Sequence, residues 1–336
     1  MRVLVTGVGG AAGLGAVNSL SKTDVDIYGC DADPLAPGLY ITTLKKGFLI
    51  PYARDPSFLG ELNRIIEEYS IDVVIPTVDE EIIRLTESGI PENKVKDDKL
   101  KARCLLPDKD SLTNAVNKYE TYKVCKDIPR PASIEVKDLN EIKGFVREKG
   151  FPLVVKPYIG RGARGIFYVE NENELLGQIK KRKDIFIQEY IPGGPVYTFG
   201  ALYDSKGKYA CGIVLKKLRE KPETGGVAWA GEVVNDERVH SLGKKVVERI
   251  GGWRGAISIE FKLDGRDKNY KLMEINPRLF GYNYLATEAG INLAWYLVLL
   301  SLGKKLPSIP KPREGLTFIR CWVDKVFHPS QLYGGT

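Results

Sequence analysis

Near its C-terminal end the chain carries three polar side chains that alternate with apolar ones. The segment KLMEINPR places Glu274, Asn276 and Arg278 at every second position. Successive side chains of a strand point to opposite faces, so a carboxylate, a carboxamide and a guanidinium are expected on one face, with Met273 and Ile275 directed into a core. Three polar groups on one sheet face indicate a site.

A second strand with an acidic residue precedes this one. Residues 256–263 read AISIEFKL and contain Glu260, and the turn-rich sequence DGRDKN joins them to the Glu274 strand. This pattern predicts a β-hairpin. If the loop has an odd number of residues, Glu260 lies directly opposite Glu274, where the two carboxylates would repel unless Mg²⁺ lay between them. A solvated hairpin face with aligned charges is the alternative interpretation.

A lysine at the end of another strand is followed by a glycine-rich loop. The segment FPLVVKPYIGRGARGI contains Lys156, Gly160, Gly162 and Arg164. Backbone N–H groups and fixed cations in such a loop can cover a polyphosphate, and glycine removes side-chain obstruction. A flexible basic hairpin without a ligand is the alternative.

A different glycine-rich loop favours a different cofactor. The sequence TGVGGAAGLG, which starts at Thr6, follows a strand and opens a helix, and Asp31 ends the next strand. This is close to a dinucleotide-binding fingerprint, in which an acid holds a ribose hydroxyl. Two Tyr-x-x-x-Lys spacings also resemble the pair of short-chain dehydrogenases: Tyr119 with Lys123, and Tyr122 with Lys126. An NAD(P)-dependent dehydrogenase or epimerase is therefore one hypothesis, although the same turn also serves to pack a helix on a strand.

The composition is that of a soluble globular protein with two or three domains. The 336 residues are 43% hydrophobic and 28% charged, and the net charge is +7. Basic and acidic residues are interspersed, so anionic small molecules such as ATP or carboxylates are favoured and no nucleic-acid partner is expected. Five scattered cysteines and two histidines argue against a disulfide framework or a structural zinc site. No signal peptide or membrane span is expected, which favours a cytoplasmic location.

Strand and helix alternate along the first hundred residues, which predicts a doubly wound parallel sheet. Strands are predicted at 3–5, 27–30, 48–50 and 73–75, with helices at 12–20 and 57–69. A boundary is predicted near Pro107 and Asp108. Further helices are predicted at 118–126, 139–149, 172–181, 238–250 and 291–302, and strands at 133–136, 153–156, 166–169 and 185–189.

Taken in order along the chain, these motifs resemble the ATP-grasp superfamily, above all its carbamoyl-phosphate-synthase-like branch and the carboxylate–amine ligases. The resemblance covers residues 1–302 and rests on Lys118, Lys156 with its loop, the strand FIQEYI, Glu260 and the sequence EINPR. It implies an α/β fold in which an N-terminal Rossmann-like pre-ATP-grasp domain (1–108) precedes a two-lobed α+β ATP-grasp domain. The implied lobes are a small lobe with the glycine-rich loop (109–190) and a large lobe with the Mg-binding hairpin (191–330).

The resemblance also implies roles for individual residues. Lys118 and Lys156 would contact the phosphates of ATP beneath the loop that contains Gly160 and Gly162. The strand that meets adenine would carry Gln188, Glu189 and Ile191. Mg²⁺, or Mn²⁺ in its place, would be held by Glu260, Glu274 and Asn276, and the catalytic Arg278 would face the transferred phosphoryl group or the acyl phosphate.

Some positions depart from the family pattern or stay open. Pro195 and Val196 stand where the family commonly has a glutamate for the ribose hydroxyls. The cation that relatives often place before Gly225 has three candidates: Lys216, Lys217 and Arg219. Further candidate pocket residues are Asp79, Glu80, Glu81, Trp229, Tyr282 and Tyr284.

The activity that the resemblance implies is an ATP- and Mg²⁺-dependent carbon–nitrogen ligase. Such an enzyme activates a carboxylate as an acyl phosphate, which an amine then attacks. The implied partners are a small-molecule carboxylate and an amine, with a homodimer as one candidate assembly and neither nucleic acid nor membrane. A non-catalytic ATP-binding module is the other alternative beside the dehydrogenase.

Overall fold

The computed structural model of the protein describes residues 1–89, 100–160, 164–222 and 225–321, together with 324, 326 and 331–333. Gly162 lies outside these residues. The described strands form three sheets, one parallel and two antiparallel, so the predicted α/β fold class is confirmed. The predicted limits at 108 and 190 stay a prediction. Within the described residues, no helix has the length and apolarity that crossing a bilayer requires.

The first sheet is parallel and has the strand order β3-β2-β1-β4. Its strands are buried runs of apolar residues, as parallel sheets require, and helices pack against them. Because β1 pairs directly with β4, the loops that follow these two strands lie side by side at the carboxyl edge. The elements are β1 (Arg2–Thr6), α1 (Ala11–Leu20), β2 (Asp26–Asp31), β3 (Lys46–Leu49), α2 (Phe58–Glu68), β4 (Val73–Ile75) and α3 (Asp79–Glu87).

The second sheet is antiparallel, with the order β5-β8-β6-β7, and it positions Lys156 near the end of β6. Two amphipathic helices cover one face, where Phe145 and Leu175 pack against Leu153 and Ile187. The elements are β5 (Ser133–Glu135), α6 (Leu139–Lys149), β6 (Leu153–Pro157), β7 (Phe167–Val169), α7 (Glu172–Lys181) and β8 (Ile185–Glu189).

The third sheet has six antiparallel strands in the order β13-β12-β9-β10-β11-β14. Its strands are β9 (Val196–Tyr203), β10 (Tyr209–Lys221), β11 (Val227–Val234), β12 (Gly255–Leu263), β13 (Tyr270–Asn276) and β14 (Thr317–Ile319). The helices around it are α8 (Glu237–Arg249), α9 (Asn283–Glu288) and α10 (Leu293–Ser301). Two earlier helices, α4 (Lys109–Val116) and α5 (Lys118–Val124), pack against β13, so Lys118 lies beside the hairpin.

The N-terminal sheet is joined to the third sheet through helices. Helix α1 packs on α9 and α10, and a Cβ at Gly15 would lie only 2.5 Å from Nδ2 of Asn283. Asn283 donates to the carbonyl of Ala12 (3.1 Å) and Asn292 donates to that of Ser19 (2.8 Å). These contacts fix the N-terminal glycine loop against the part of the chain that carries the hairpin.

Candidate active site

The two acidic residues of the hairpin are direct neighbours across the strands. Glu260 of β12 pairs with Glu274 of β13, as predicted. Asn276 lies two residues beyond Glu274, and its Nδ2 donates to Oε1 of Glu274 (3.3 Å). Two carboxylates and a carboxamide therefore meet on one face of the sheet.

This register arises through a β-bulge and not through an odd loop. Leu263 pairs with Tyr270, so the connecting loop has an even number of residues, and the register shifts by one between Glu260 and Phe261. The extra residue is Met273, which is only half-buried, while Ile275 is in the core. The expectation that Met273 enters the core is wrong, because the bulge breaks the alternation at that position.

Each carboxylate of the pair is bound by a different lysine. The Nζ atom of Lys217 lies 2.7 Å from Oε1 of Glu260 and 2.9 Å from Oε1 of Glu220. The Nζ atom of Lys118 lies 3.2 Å from Oε2 of Glu274 and donates to the carbonyl of Gly160 (2.9 Å). Both lysines are buried, so these ion pairs form away from bulk water.

The structure also separates the three candidate cations that precede Gly225. Lys217 is buried and faces the carboxylate pair. Lys216 is half-buried and lies 3.9 Å from Glu232, and Arg219 is exposed. Lys217 is therefore the candidate that belongs to the site.

Burial and neighbouring charges shift the pKa values of these groups in different directions. Burial alone would raise the pKa of Glu274, but Lys118 and Lys217 outweigh it and lower that pKa. Burial raises the pKa of Glu260, Lys217 opposes the rise, and Glu274 adds to it. Burial, together with the positive charge of Lys118, lowers the pKa of Lys156 to about 8. Such shifts are typical of functional sites.

The donor set fits a hard divalent cation. The described residues contain no group of three or more His, Cys, Asp and Glu side chains that could hold a metal ion. Two carboxylates and one carboxamide oxygen, however, are the ligands that Mg²⁺ takes when phosphate oxygens and water complete its shell. Glu260, Glu274 and Asn276 could therefore hold such a cation, whose charge would add to that of Lys217 beside Glu260.

A cavity of about 820 Å³ opens beside the carboxylate pair. One wall comes from the hairpin and its surroundings, with Arg164, Lys217, Glu260, Glu274, Asn276, Arg278 and Tyr282. The opposite wall comes from loops at the carboxyl edge of the N-terminal sheet, with Gly7, Gly9, Gly10, Asp31, Tyr52, Arg54, Glu80 and Glu81. The cavity therefore lies at the carboxyl edge of a parallel sheet, where α/β proteins bind ligands.

Arg278 crosses from one wall to the other. Its Nε atom donates to Oδ1 of Asp79 at the start of α3 (2.6 Å), and its Nη2 atom donates to Oδ1 of Asn276 (3.1 Å). A third hydrogen bond joins Nη1 to the carbonyl of Leu279 (3.3 Å). The predicted catalytic arginine is thus next to a predicted metal ligand.

The residues predicted to meet adenine lie outside the lining of this cavity. Gln188 is fully buried and donates from Nε2 to Oγ of Ser133 (3.1 Å), and Ile191 is also buried. Glu189 accepts hydrogen bonds from the backbone N–H of Ala132 (2.9 Å) and from Nη2 of Arg266 (2.5 Å). Gly160 joins the glycine-rich loop to Lys118, because its carbonyl accepts a hydrogen bond from Nζ of that lysine.

Val196, which stands where the family commonly has a glutamate for the ribose hydroxyls, has a basic neighbour. Val196 pairs with Lys262 across β9 and β12. The Nζ atom of Lys262 lies 5.4 Å from the centre of the Tyr190 ring, and burial lowers the pKa of this lysine. Position 196 itself carries a valine and offers no carboxylate to a ribose.

The residues that suggested dinucleotide binding, Asp31 and the two tyrosines, make structural contacts instead. Oδ2 of Asp31 accepts a hydrogen bond from the N–H of Gly9 (2.7 Å), and its Oδ1 accepts one from Asp33 (3.0 Å). Tyr122 is buried and donates to the carbonyl of Met273 (2.6 Å). Tyr119 packs against Phe186. These residues stabilise a loop and a core, so their geometry does not favour the dehydrogenase hypothesis.

Several residues of the site were not predicted from the sequence, and others stayed open candidates. Tyr52 and Arg54 line the cavity after β3, a position that the carboxyl-edge rule for parallel strands could have indicated. Arg266, which binds Glu189, lies in a loop with no local signal for that contact. Among the open candidates, the structure places Glu80, Glu81 and Tyr282 in the cavity wall, Trp229 beneath Lys221, and Tyr284 near Lys22.

Comparisons with proteins of known sequence agree with this arrangement. The family described as ATP-grasp domain matches residues 115–282, half of the chain. The D-aspartate ligase of Enterococcus faecium (strain Aus0004) is 24% identical over 316 residues, which are 84% of this chain and 73% of that protein. The N-terminal section of the carbamoyl phosphate synthase large chain of Methanopyrus kandleri is 25% identical over 277 residues. That match covers 76% of this chain but only 48% of the relative.

Solved structures share the fold. N5-carboxyaminoimidazole synthetase from Staphylococcus aureus, complexed with ADP, aligns with a TM-score of 0.70 and 16% identity over 91% of this chain and 78% of that one. The biotin carboxylase domain dimer of Hydrogenobacter thermophilus 2-oxoglutarate carboxylase, complexed with MgADP, ADP and bicarbonate, aligns with a TM-score of 0.67 and 18% identity. That alignment covers 91% of this chain and 70% of the other.

These findings confirm the family that was predicted from the sequence. At the level of that family, they also confirm the predicted class of enzyme, the ATP-dependent ligases. The glycine loop at Thr6 lies outside the matched domain, whereas Lys118, Lys156, Glu260, Glu274, Asn276 and Arg278 all lie within it. The chain belongs to the ATP-grasp family.

Proposed function

We propose that the protein is an ATP- and Mg²⁺-dependent ligase that activates a carboxylate as an acyl phosphate and joins it to an amine. The observation that carries the proposal is the pairing of Glu260 with Glu274 beside Asn276, with lysines on both carboxylates. A pair of opposed carboxylates is unfavourable unless cations share its charge, so its presence supports a role in cation binding. The names of the relatives, a D-aspartate ligase and a synthetase complexed with ADP, support the same class of reaction.

In this proposal the substrates meet at the hairpin end of the cavity. The carboxylate oxygen of the acid attacks the γ-phosphorus of ATP, and the bond from that phosphorus to the bridging oxygen breaks to release ADP. The amine then attacks the acyl carbon, the bond to phosphate breaks, and the amine nitrogen loses a proton to solvent. Phosphoryl transfer needs positioning and neutralisation of charge more than it needs a side-chain base.

The residues of the chain supply that positioning. Lys118 and Lys156 are buried cations near the Gly160 loop, and both would bind phosphate oxygens. Arg278 would bind the transferred phosphoryl group, because a guanidinium binds phosphate through two parallel hydrogen bonds. Lys217 would remain beside Glu260 and balance the charge of the second carboxylate at Glu220.

Glu260, Glu274 and Asn276 would hold Mg²⁺, which, when bound, neutralises the charge that develops on the β- and γ-phosphate oxygens. Mn²⁺ is proposed as a substitute, because its preference for oxygen ligands is similar. Small-molecule carboxylates and amines are the proposed substrates. A cytoplasmic location and a homodimer stay predictions.

The proposal is tested by measuring ADP release with a panel of amino acids and other carboxylates. Hydroxylamine replaces the amine in a parallel assay, because it converts an acyl phosphate into a hydroxamate that can be quantified. Glu274→Gln is the site variant. The matched control is Glu61→Gln, because Glu61 forms an ion pair with Arg64 on helix α2, outside the hairpin.

We expect carboxylate-dependent ADP release and hydroxamate formation in the wild type and in Glu61→Gln, and a loss of at least about 10²-fold in Glu274→Gln. Unchanged turnover in Glu274→Gln would contradict the metal assignment. If the protein bound ATP but released no phosphate with any of the acceptors, the non-catalytic ATP-binding module would be favoured instead.

A further inference from the structure

We propose that Asp79 is a positioning residue for the ligase reaction, which holds the guanidinium of Arg278 in the orientation that binds the transferred phosphoryl group. The N-terminal domain would then take part in the chemistry of a site whose other residues come from the ATP-grasp domain. The inference rests on the proposed function and names a residue that the matched domain does not contain.

The contact between the two side chains is short and specific. Oδ1 of Asp79 accepts a hydrogen bond from Nε of Arg278 at 2.6 Å, and the two side chains are only 17% and 18% exposed. The residues lie 199 positions apart in the sequence, so nothing in the local chain imposes this contact. A charge-assisted hydrogen bond of this length restricts rotation of the guanidinium.

The remaining donors of Arg278 suit an oxyanion. A guanidinium has five N–H groups, and three of them are used by Asp79, Asn276 and the carbonyl of Leu279. Within the described residues, one N–H group is left on each of the two terminal nitrogens. Two such groups can bind a phosphoryl or carboxylate oxygen pair, provided that the plane of the guanidinium is fixed.

Asp79 is itself held by the edge of the N-terminal sheet. It begins α3, directly after a loop in which Oγ1 of Thr77 donates to the carbonyl of Thr6 (2.7 Å). The hydroxyl of Thr6 in turn donates to Glu81 in the first turn of α3. A Cβ at Gly7 would lie 2.4 Å from Cγ2 of Val78, so the glycine loop and the loop before Asp79 pack in direct contact.

A continuous set of contacts therefore runs from the N-terminal sheet to the carboxylate pair. Asp79 binds Arg278, Arg278 binds Asn276, and Asn276 binds Glu274. Removing the first member would release Nε of Arg278 and leave its guanidinium with two weaker hydrogen bonds, to Asn276 and Leu279, while the hairpin stays intact. A misplacement of about 1 Å in a positioning group can cost about 10²-fold in rate.

The competing explanation is that Asp79 and Arg278 form an ion pair between domains that only stabilises the fold. A double-mutant cycle separates the two explanations, with Asp79→Asn, Arg278→Lys and the double variant. Asp79→Glu retains the carboxylate on a longer side chain. Asp127→Asn is the matched control, because Asp127 binds Arg249 at 2.7 Å and 2.9 Å outside the site. For each variant, kcat, KM for ATP and the thermal midpoint of unfolding are measured in the full chain.

We expect Asp79→Asn to lower kcat about 10- to 100-fold while KM for ATP and the thermal midpoint stay close to the wild type. Asp79→Glu should recover part of the loss, and Asp79→Asn should cause no further loss in the Arg278→Lys background. Unchanged kcat in Asp79→Asn, or additive losses in the double variant, would overturn the inference and leave the proposed function standing. A wild-type protein without carboxylate-dependent ADP release would overturn both.

Discussion

Glu260 lies directly across the hairpin from Glu274, and a different lysine neutralises each carboxylate, Lys217 the first and Lys118 the second. The two lysines come from distant parts of the chain, one from β10 and the other from α5. The carboxylate pair is thus a place where side chains from distant segments of the chain meet.

Lys217→Met should lower turnover about 10²-fold, because it leaves Glu260 and Glu220 without their shared cation next to Glu274. Lys216→Met is the matched control, because Lys216 is half-buried, lies beside Glu232, and should leave turnover close to that of the wild type. Steady-state rates of ADP release compare the two. A larger loss in Lys216→Met than in Lys217→Met would show that the wrong lysine has been assigned to the site.

Binding of ATP should weaken as the pH rises through about 8. Burial and Lys118 lower the pKa of Lys156 from its ordinary value of 10.5 to about 8, so the ammonium is charged below this pH and becomes neutral above it. Only the charged form attracts phosphate. Titration calorimetry measures the affinity for ATP in the presence of Mg²⁺ between about pH 6.5 and 9.5. This range of roughly three pH units is centred on that pKa.

Lys156→Arg is the control for this titration, because a guanidinium stays charged over the whole range. Its affinity should vary less with pH than that of the wild type. Equal pH profiles for the two proteins would assign the pH dependence to another group.

Gly13→Ala should lower the free energy of unfolding by about 1–3 kcal/mol, because the new Cβ would lie 2.4 Å from the carbonyl oxygen of Gly7. Gly60→Ala on helix α2 is the matched control, because a Cβ there meets nothing within 4 Å. Alanine is the better helix former, so this variant should gain about 0.5–1 kcal/mol. Denaturant unfolding measures both, and equal effects would contradict the packing described for α1.

The nucleotide site should discriminate poorly between ATP and 2′-deoxy-ATP, because Val196 offers no carboxylate to the ribose hydroxyls. Val196→Glu should introduce a preference for ATP, since a carboxylate accepts hydrogen bonds from both hydroxyls and sits beside Lys262. The ratio of kcat/KM for the two nucleotides is the measurement. A strong preference for ATP in the wild type would show that another group holds the ribose.

Much of the fold could be predicted from local patterns. The helices at 139–149 and 172–181 were predicted at their observed ends, where Asp138 and Asn171 cap the first turns. The pairing of Glu260 with Glu274 was also predicted, but its reason was wrong. A bulge at Met273 corrects the register that the even loop would otherwise give, and bulges have no clear sequence signal.

Contacts between distant segments could not be predicted. The alternation rule failed to choose among Lys216, Lys217 and Arg219, because β10 has two register shifts in this stretch. The contact of Asp79 with Arg278 depends on how the N-terminal sheet docks on the hairpin, which no local pattern specifies. The glycine loop at Thr6 was ambiguous for a similar reason, since the same residues can bind a pyrophosphate or pack against a neighbouring loop.

A crystal structure of the protein with Mg²⁺ and a non-hydrolysable ATP analogue tests the central claim most directly. The account predicts metal density between Glu260 and Glu274, phosphate groups beside Lys118 and Lys156, and Arg278 directed at the γ-phosphate. Nucleotide density on the N-terminal glycine loop, with no metal between the carboxylates and Glu274 still bound to Lys118, would contradict it.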